Sequence, residues 1–238
     1  MIPYIIINGV SSRNIDGLLI QSLPPISKPK IRTSVEEIDG RDGDIVTTLG
    51  YAAYDKPITI GLKGDYNVDD VIKYFNASGK VTFSNELDKY YKFAIYDTID
   101  FNKLIRFKTA NINLHVQPFK YSSDEPPIIT ISPGGTIINI PVLNTGNIYS
   151  KPKLTITGTN TITVYVNNKQ IFSIALSAAG ETIIIDAAEM NATDPEGNYL
   201  NRQVTGDYNN FVLPAGANDL RVTGTVNRVT IENYSRWI

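Results

Sequence analysis

From Ala110 to Gln117 the chain alternates without a break, with Ile112, Leu114 and Val116 on one side and Asn111, Asn113 and His115 on the other. A period of two belongs to an extended strand, whose successive side chains point to opposite faces. Only one of those faces has an apolar core behind it. The same β-branched pattern recurs at Ile45–Leu49, Pro57–Lys63, Lys80–Ser84 and Tyr90–Asp97, and it fills the second half. There, Thr136–Val142, Lys153–Thr157, Thr161–Val166, Gln170–Leu176, Glu181–Asp186, Asp219–Thr223 and Val226–Ile231 all read as strands. Asn167-Asn168 lies between two of them, and asparagine tolerates the positive φ that hairpin turns require. Many short strands with frequent turn signals predict a sandwich or jelly roll.

One stretch departs from this pattern. Between Asp65 and Gly79, Val68, Val71, Ile72 and Phe75 fall at helical spacing, Asn67 or Asp69 can cap the start, and Gly79 can supply the stop. The polar stretch Glu189–Asn210, containing Asp194-Pro195-Glu196-Gly197, reads as an extended loop on one rim of the second half.

Charge divides the chain. Residues 1–130 hold 15 Lys+Arg and 16 Asp+Glu; residues 131–238 hold 7 and 8. The shift falls near Tyr121–Pro127, whose paired prolines disfavour helix and central strand alike. This places a boundary between a domain of residues 1–128 and a second of residues 129–238. At 42% hydrophobic residues both can fill a core, and a net charge of −2 gives no global field for nucleic acid or an anionic membrane. Basic residues are dispersed, so no nucleic-acid face is expected. The N-terminus lacks the basic flank and apolar run of a signal peptide, and no run nears the roughly 20 apolar residues of a membrane helix.

Chemistry is sparse. There is no cysteine, which removes disulfides and thiolate sites. His115 is the sole histidine, sits mid-strand on a polar face, and reads as a surface or interface residue rather than a catalytic base. The acidic loop Asp39–Asp44 fails the EF-hand template, because Gly50 stands where a bidentate Glu is needed. Gly79-Lys80 fails the phosphate-loop template, because Val81 follows it and Tyr74 replaces the first glycine. No catalytic residue, metal ligand or cofactor is expected.

The specific signal is an ordered series. Gly40-Arg41-Asp42-Gly43 leads to Gly50-Tyr51, Tyr54 and Ile58-Thr59-Ile60, then Gly79-Lys80-Val81 and Val116–Tyr121. Asn144-Thr145-Gly146-Asn147, Ser150–Gly158, Ile184-Ile185-Asp186, Leu213–Asn218 and a terminal Ser235-Arg236-Trp237-Ile238 follow. The series resembles the distal tail (Dit) proteins of long-tailed, siphovirus-type bacteriophages and of phage-tail-like particles, over essentially the whole chain. The resemblance implies a mainly β protein. Its N-terminal part would be a tail-tube-like β-sandwich with one short helix, and its C-terminal part a galectin-like β-sandwich or jelly roll. It further implies a structural, non-enzymatic hub: a homo-hexameric ring, single or stacked in pairs, at the distal end of the tail tube. Such a ring joins the tube protein to the tail-associated tip protein and to receptor-binding proteins. It resides in the virion, after synthesis in the host cytoplasm.

A closed ring needs heterologous contacts. Gly40, Arg41, Asp42, Gly43, Tyr51 and Tyr54 are the assembly-interface candidates, although plain turn formation explains the glycines equally well. The alternative function is a carbohydrate-binding tail module gripping the host wall. Fold analogy alone carries that idea. The second half has no histidine and only Trp237, which leaves Tyr165, Tyr199 and Tyr208 as candidate sugar-contact aromatics.

Overall fold

The computed structural model describes residues 2–124, 126–132 and 136–238. It forms two compact units, Met1–Ser123 with Ile238, and Asp124–Trp237. Ile128, placed in the first domain by the sequence boundary, pairs with Glu232 of the second unit. Glu125, inside the predicted Tyr121–Pro127 boundary segment, lies outside the described residues.

The first unit contains β1 (Ile5–Ile7), β2 (Val10–Ser11), β3 (Leu18–Ser22), β4 (Ile31–Glu36), β5 (Ile45–Tyr51), β6 (Tyr54–Leu62), α1 (Val68–Phe75), β7 (Ser78–Phe83), β8 (Lys89–Ala94), α2 (Phe101–Phe107) and β9 (Thr109–Ser122). One curled sheet runs β2-β1-β7-β8-β9-β6-β3, while β4 and β5 pair only with each other. The alternation in β9 does what its period demands: Ile112, Leu114 and Val116 are buried, and Asn111 and Asn113 are exposed. Pro57 sits inside β6 without breaking the sheet, because β3 pairs only with Thr59–Leu62 and leaves the Pro57 flank open.

Asn67 caps α1, its side chain accepting from the Asp69 amide at 3.0 Å. Val71, Tyr74 and Phe75 then seal one end of the core. The helix ends at Phe75, not at Gly79. Gly79 lies in β7, where an added Cβ would stand 2.4 Å from Asn8 Oδ1. Asn8 uses this gap to bond the Ser78 carbonyl at 2.9 Å and the Lys80 amide at 2.8 Å. Where one helix was expected in this unit there are two. α2 is capped by Asp100, which accepts from the Lys103 amide at 2.9 Å, and it is held to the core by Leu104.

The second unit is built from β10 (Ile128–Ile131), β11 (Ile137–Asn144), β12 (Lys153–Val166), β13 (Lys169–Asp186), β14 (Asn191–Thr193), β15 (Val204–Gly206) and β16 (Gly216–Glu232). Its sheet runs β10-β16-β12-β13-β14, with β11 also on β16 and β15 also on β13. Three of these strands are each a fusion of two segments that the sequence separates. The joints lie at one level: register shifts occur between Gly158 and Asn160 in β12 and between Thr159 and Thr163 opposite β16. A Cβ on Gly158 would meet the Thr225 carbonyl oxygen at 2.5 Å, and one on Gly224 would meet that of Thr161 at 2.7 Å. These glycines permit a bend with close backbone approach rather than a chain reversal, so the strands continue through it. The bent strands enclose a core that includes Ile156, Val164, Phe172, Ile185, Phe211 and Val222.

Asn167 and Asn168, at φ 49° and 66°, close β12 onto β13 as a two-residue turn. The predicted loop Glu189–Asn210 is instead a folded rim carrying β14, β15 and two short 3₁₀ turns. Asp194 organises its tip by accepting from the Asn198 amide at 2.7 Å and from the Asn198 side chain at 2.7 Å; these bonds hold its carboxyl below the usual range.

Candidate assembly interface

β4 and β5 form an arm. Val35 and Val46 are cross-strand partners on one face and remain 52% and 58% exposed; Ile38 and Leu49 are also about half exposed. An isolated two-stranded hairpin is marginal in water, and these apolar side chains stand in solvent on the arm. The tip holds Glu36, Glu37, Asp39, Asp42 and Asp44 against a single Arg41. Gly40 and Gly43 take φ of 82° and 76° there, and the Arg41 amide closes the turn onto the Ile38 carbonyl at 3.1 Å.

The structure separates the six interface candidates into two groups. Gly40, Arg41, Asp42 and Gly43 are exposed at the tip, whereas Tyr51 and Tyr54 stand at the base. Tyr51 packs edge-on against Phe119 with ring centroids 5.2 Å apart. The Tyr54 hydroxyl donates to the Ser27 carbonyl at 3.3 Å. Beside it, Lys56 is almost wholly buried and donates from Nζ to the Pro25 carbonyl at 2.9 Å, and the Ala52 amide donates to the Lys30 carbonyl at 2.8 Å. These bonds fasten the segment that feeds the arm. Nζ also lies 4.8 Å from the centre of the Tyr91 ring and 5.4 Å from that of Tyr54. Burial lowers the ammonium pKa of Lys56, with Glu86 partly offsetting the effect. Glu86 itself pairs with Lys120 at 2.8 Å, both largely buried.

His115 does not meet a nucleophile. Its Nδ1 lies 2.8 Å from Asp55 Oδ1, and its ring sits 5.5 Å from that of Tyr96. His115 and Tyr96 line an open cavity of about 460 Å³ together with Lys80 and Lys92, which face each other across β7 and β8. Among the described residues no group of three or more His, Cys, Asp or Glu is gathered as a metal site requires. No helix of the described residues is long and apolar enough to cross a membrane.

The three tyrosines named as sugar contacts do not form one surface. Tyr165 lies on β12 between buried Val164 and Val166, so it points away from the core, with Arg221 4.3 Å over its ring. Tyr208 packs from the core side, its ring 5.1 Å from that of Phe172. Tyr199 stands on the rim and is 74% exposed.

The motifs of the second half converge on a buried polar network instead. Asn144 donates to the carbonyls of Ile148 and Leu213, both at 2.9 Å, and accepts from the Gly146 amide at 3.0 Å. Ser150 donates to Asn233 at 2.6 Å, and the Thr145 amide donates to Ser235 at 3.0 Å. Arg236 bonds the Tyr149 carbonyl through Nε and Nη2 at 3.0 and 2.7 Å. Residues spread over some ninety positions thus tie the ends of β11 and β16 together, which is a folding role.

No family model matches the sequence, and neither does any curated protein. Solved structures do match. SPP1 Dit (gp 19.1), a paradigm of the hub adsorption apparatus in phages that infect Gram-positive bacteria, aligns over 100% of both chains with a TM-score of 0.63 at 17% identity. A chain of the phage P2 baseplate, in its activated conformation with Ca, aligns over 99% of this chain and 98% of that one, with a TM-score of 0.51 at 10% identity. From end to end, the fold is that of a phage distal tail protein of the Dit type.

Proposed function

We propose that the chain is a structural subunit of a phage tail tip, or of a related tail-like particle. It assembles as a homo-hexameric ring, single or in a stacked pair, and acts as a hub. One side of the ring meets the tail tube protein; the other carries the tail-associated tip protein and receptor-binding proteins. It has no catalytic role, and its place is the virion after synthesis in the host cytoplasm. The observation that carries this reading is the match of the whole chain, both units together, to the hub protein SPP1 Dit. The exposed arm supports it independently, since Val35 and Val46 need a cover that their own chain does not give.

Light scattering and electron microscopy of the purified chain at high concentration test the proposal. Six-fold rings are expected, and persistence of monomer with no ring in any field would sink it. Replacing Glu37–Asp44 with a two-residue turn should shift the material to monomer while leaving the thermal midpoint close to that of the parent.

A further inference from the structure

α2 presents to solvent a surface that mirrors the arm. Only Leu104 of this helix is buried, whereas Ile105 and Phe107 are 38% and 59% exposed. Lys103 and Arg106 stand beside them, and neither has an ion pair among the described residues. The neighbouring acids already have partners. Asp100 caps the helix, and Asp97 accepts from the Asn113 side chain at 3.0 Å. The arm has the opposite combination, with Val35 and Val46 exposed next to a tip of five carboxylates and one guanidinium.

We propose that the arm of one copy lies on α2 of the next copy, valines against Ile105 and Phe107, tip carboxylates against Lys103 and Arg106. The inference rests on the hub reading above and names the receiving surface for it. Both halves of the contact are on one chain but differ from each other, so the contact is heterologous. Every copy offers one arm and one helix, and all are used only when the chain of contacts closes on itself. Burial of the apolar residues supplies affinity, while the charges select the register and exclude arm-to-arm pairing, which would bring acid against acid.

The lack of cysteine allows a direct test. Asp42→Cys and Arg106→Cys proteins, of distinguishable mass, are mixed and treated with a short bismaleimide. The expected product is the mixed dimer, with little homodimer from either protein alone. Predominant Asp42→Cys homodimers would overturn the proposal. In parallel, Lys103→Glu/Arg106→Glu should weaken assembly on the order of tenfold, with an unchanged circular dichroism spectrum. Adding Asp39→Lys/Asp42→Lys to the same chain should restore it. Rings that form normally in the α2 variant, with no mixed cross-link, would refute the docking surface and leave the hub reading standing. Absence of any association in the parent chain would remove both.

Discussion

Lys56 reaches the Pro25 carbonyl at 2.9 Å from a position only 2% exposed, so a buried ammonium holds the irregular segment that leads into the arm. Lys56→Met keeps the volume, removes the desolvated charge and deletes the bond. It should cost about 1–2 kcal/mol, because relief of the desolvated charge only partly offsets the lost bond to the Pro25 carbonyl. The segment itself should loosen. Trypsin cleavage after Lys30 is expected to accelerate, and an unchanged cleavage rate would show that the bond does not restrain the arm.

Alkaline stability follows from the buried phenols. Burial raises the pKa of Tyr54, Tyr74 and Tyr91 above the ordinary value of about 10. The folded chain keeps protons there that the unfolded chain releases, so this stabilisation is whole below about pH 10 and is lost as pH rises beyond it. Lys56 acts in the opposite sense. Its lowered pKa means that its contribution grows with pH, between that value and 10.5. A thermal midpoint that holds up to about pH 10 and then falls is expected. Tyr74→Phe should flatten the fall while costing about 1 kcal/mol at neutral pH, because the hydroxyl lies 3.2 Å from the carbonyls of Ile5 and Val10.

Two glycines separate backbone strain from steric clash. Gly224→Ala places a Cβ 2.7 Å from the Thr161 carbonyl oxygen and should cost about 2–4 kcal/mol by chemical denaturation. Gly197, at φ 90° with open space around it, should cost only the left-handed strain of about 1–2 kcal/mol when changed to Ala. Equal losses at the two sites would contradict the close approach at the bend.

Asn144→Ala removes the bonds to the Ile148 and Leu213 carbonyls, the latter keeping the Ser150 amide as a donor at 2.9 Å, and takes away the acceptor of the Gly146 amide, and should cost about 3 kcal/mol. Ser150→Ala removes a single bond to Asn233 and should cost about 1 kcal/mol. Reversal of that order in urea melts would displace Asn144 from the centre of the network.

Local signals were readable where one residue type has one physical use. The alternation of β9, the Asn67 cap and the Asn167-Asn168 turn all follow from the letters, and Asn8-Gly9, at φ 48° and 85°, carries the same turn signal between β1 and β2. Glycine was ambiguous. In β12 and β16 it marks bends, although in sequence it looks like a strand end, because a close backbone approach involves residues distant in sequence. α2 gives no helical signal in sequence, because Ile105 and Phe107 are exposed and leave it no clean apolar face. The arm is half legible: Ile45–Leu49 reads as a strand, its partner Ile31–Glu36 gives no such signal, and the exposure of Val35 and Val46 shows only in the structure. The motif series pointed to the right fold. Several of its members act inside the polar network, which is a folding role.

The bends at Gly158 and Gly224 also decide how the second unit opens. β12 and β16 pass through them as unbroken peptide chain, as β13 does beside them. Any opening of the sheet at this level therefore disturbs β12, β13 and β16 together, and amide exchange there should be cooperative across the three strands.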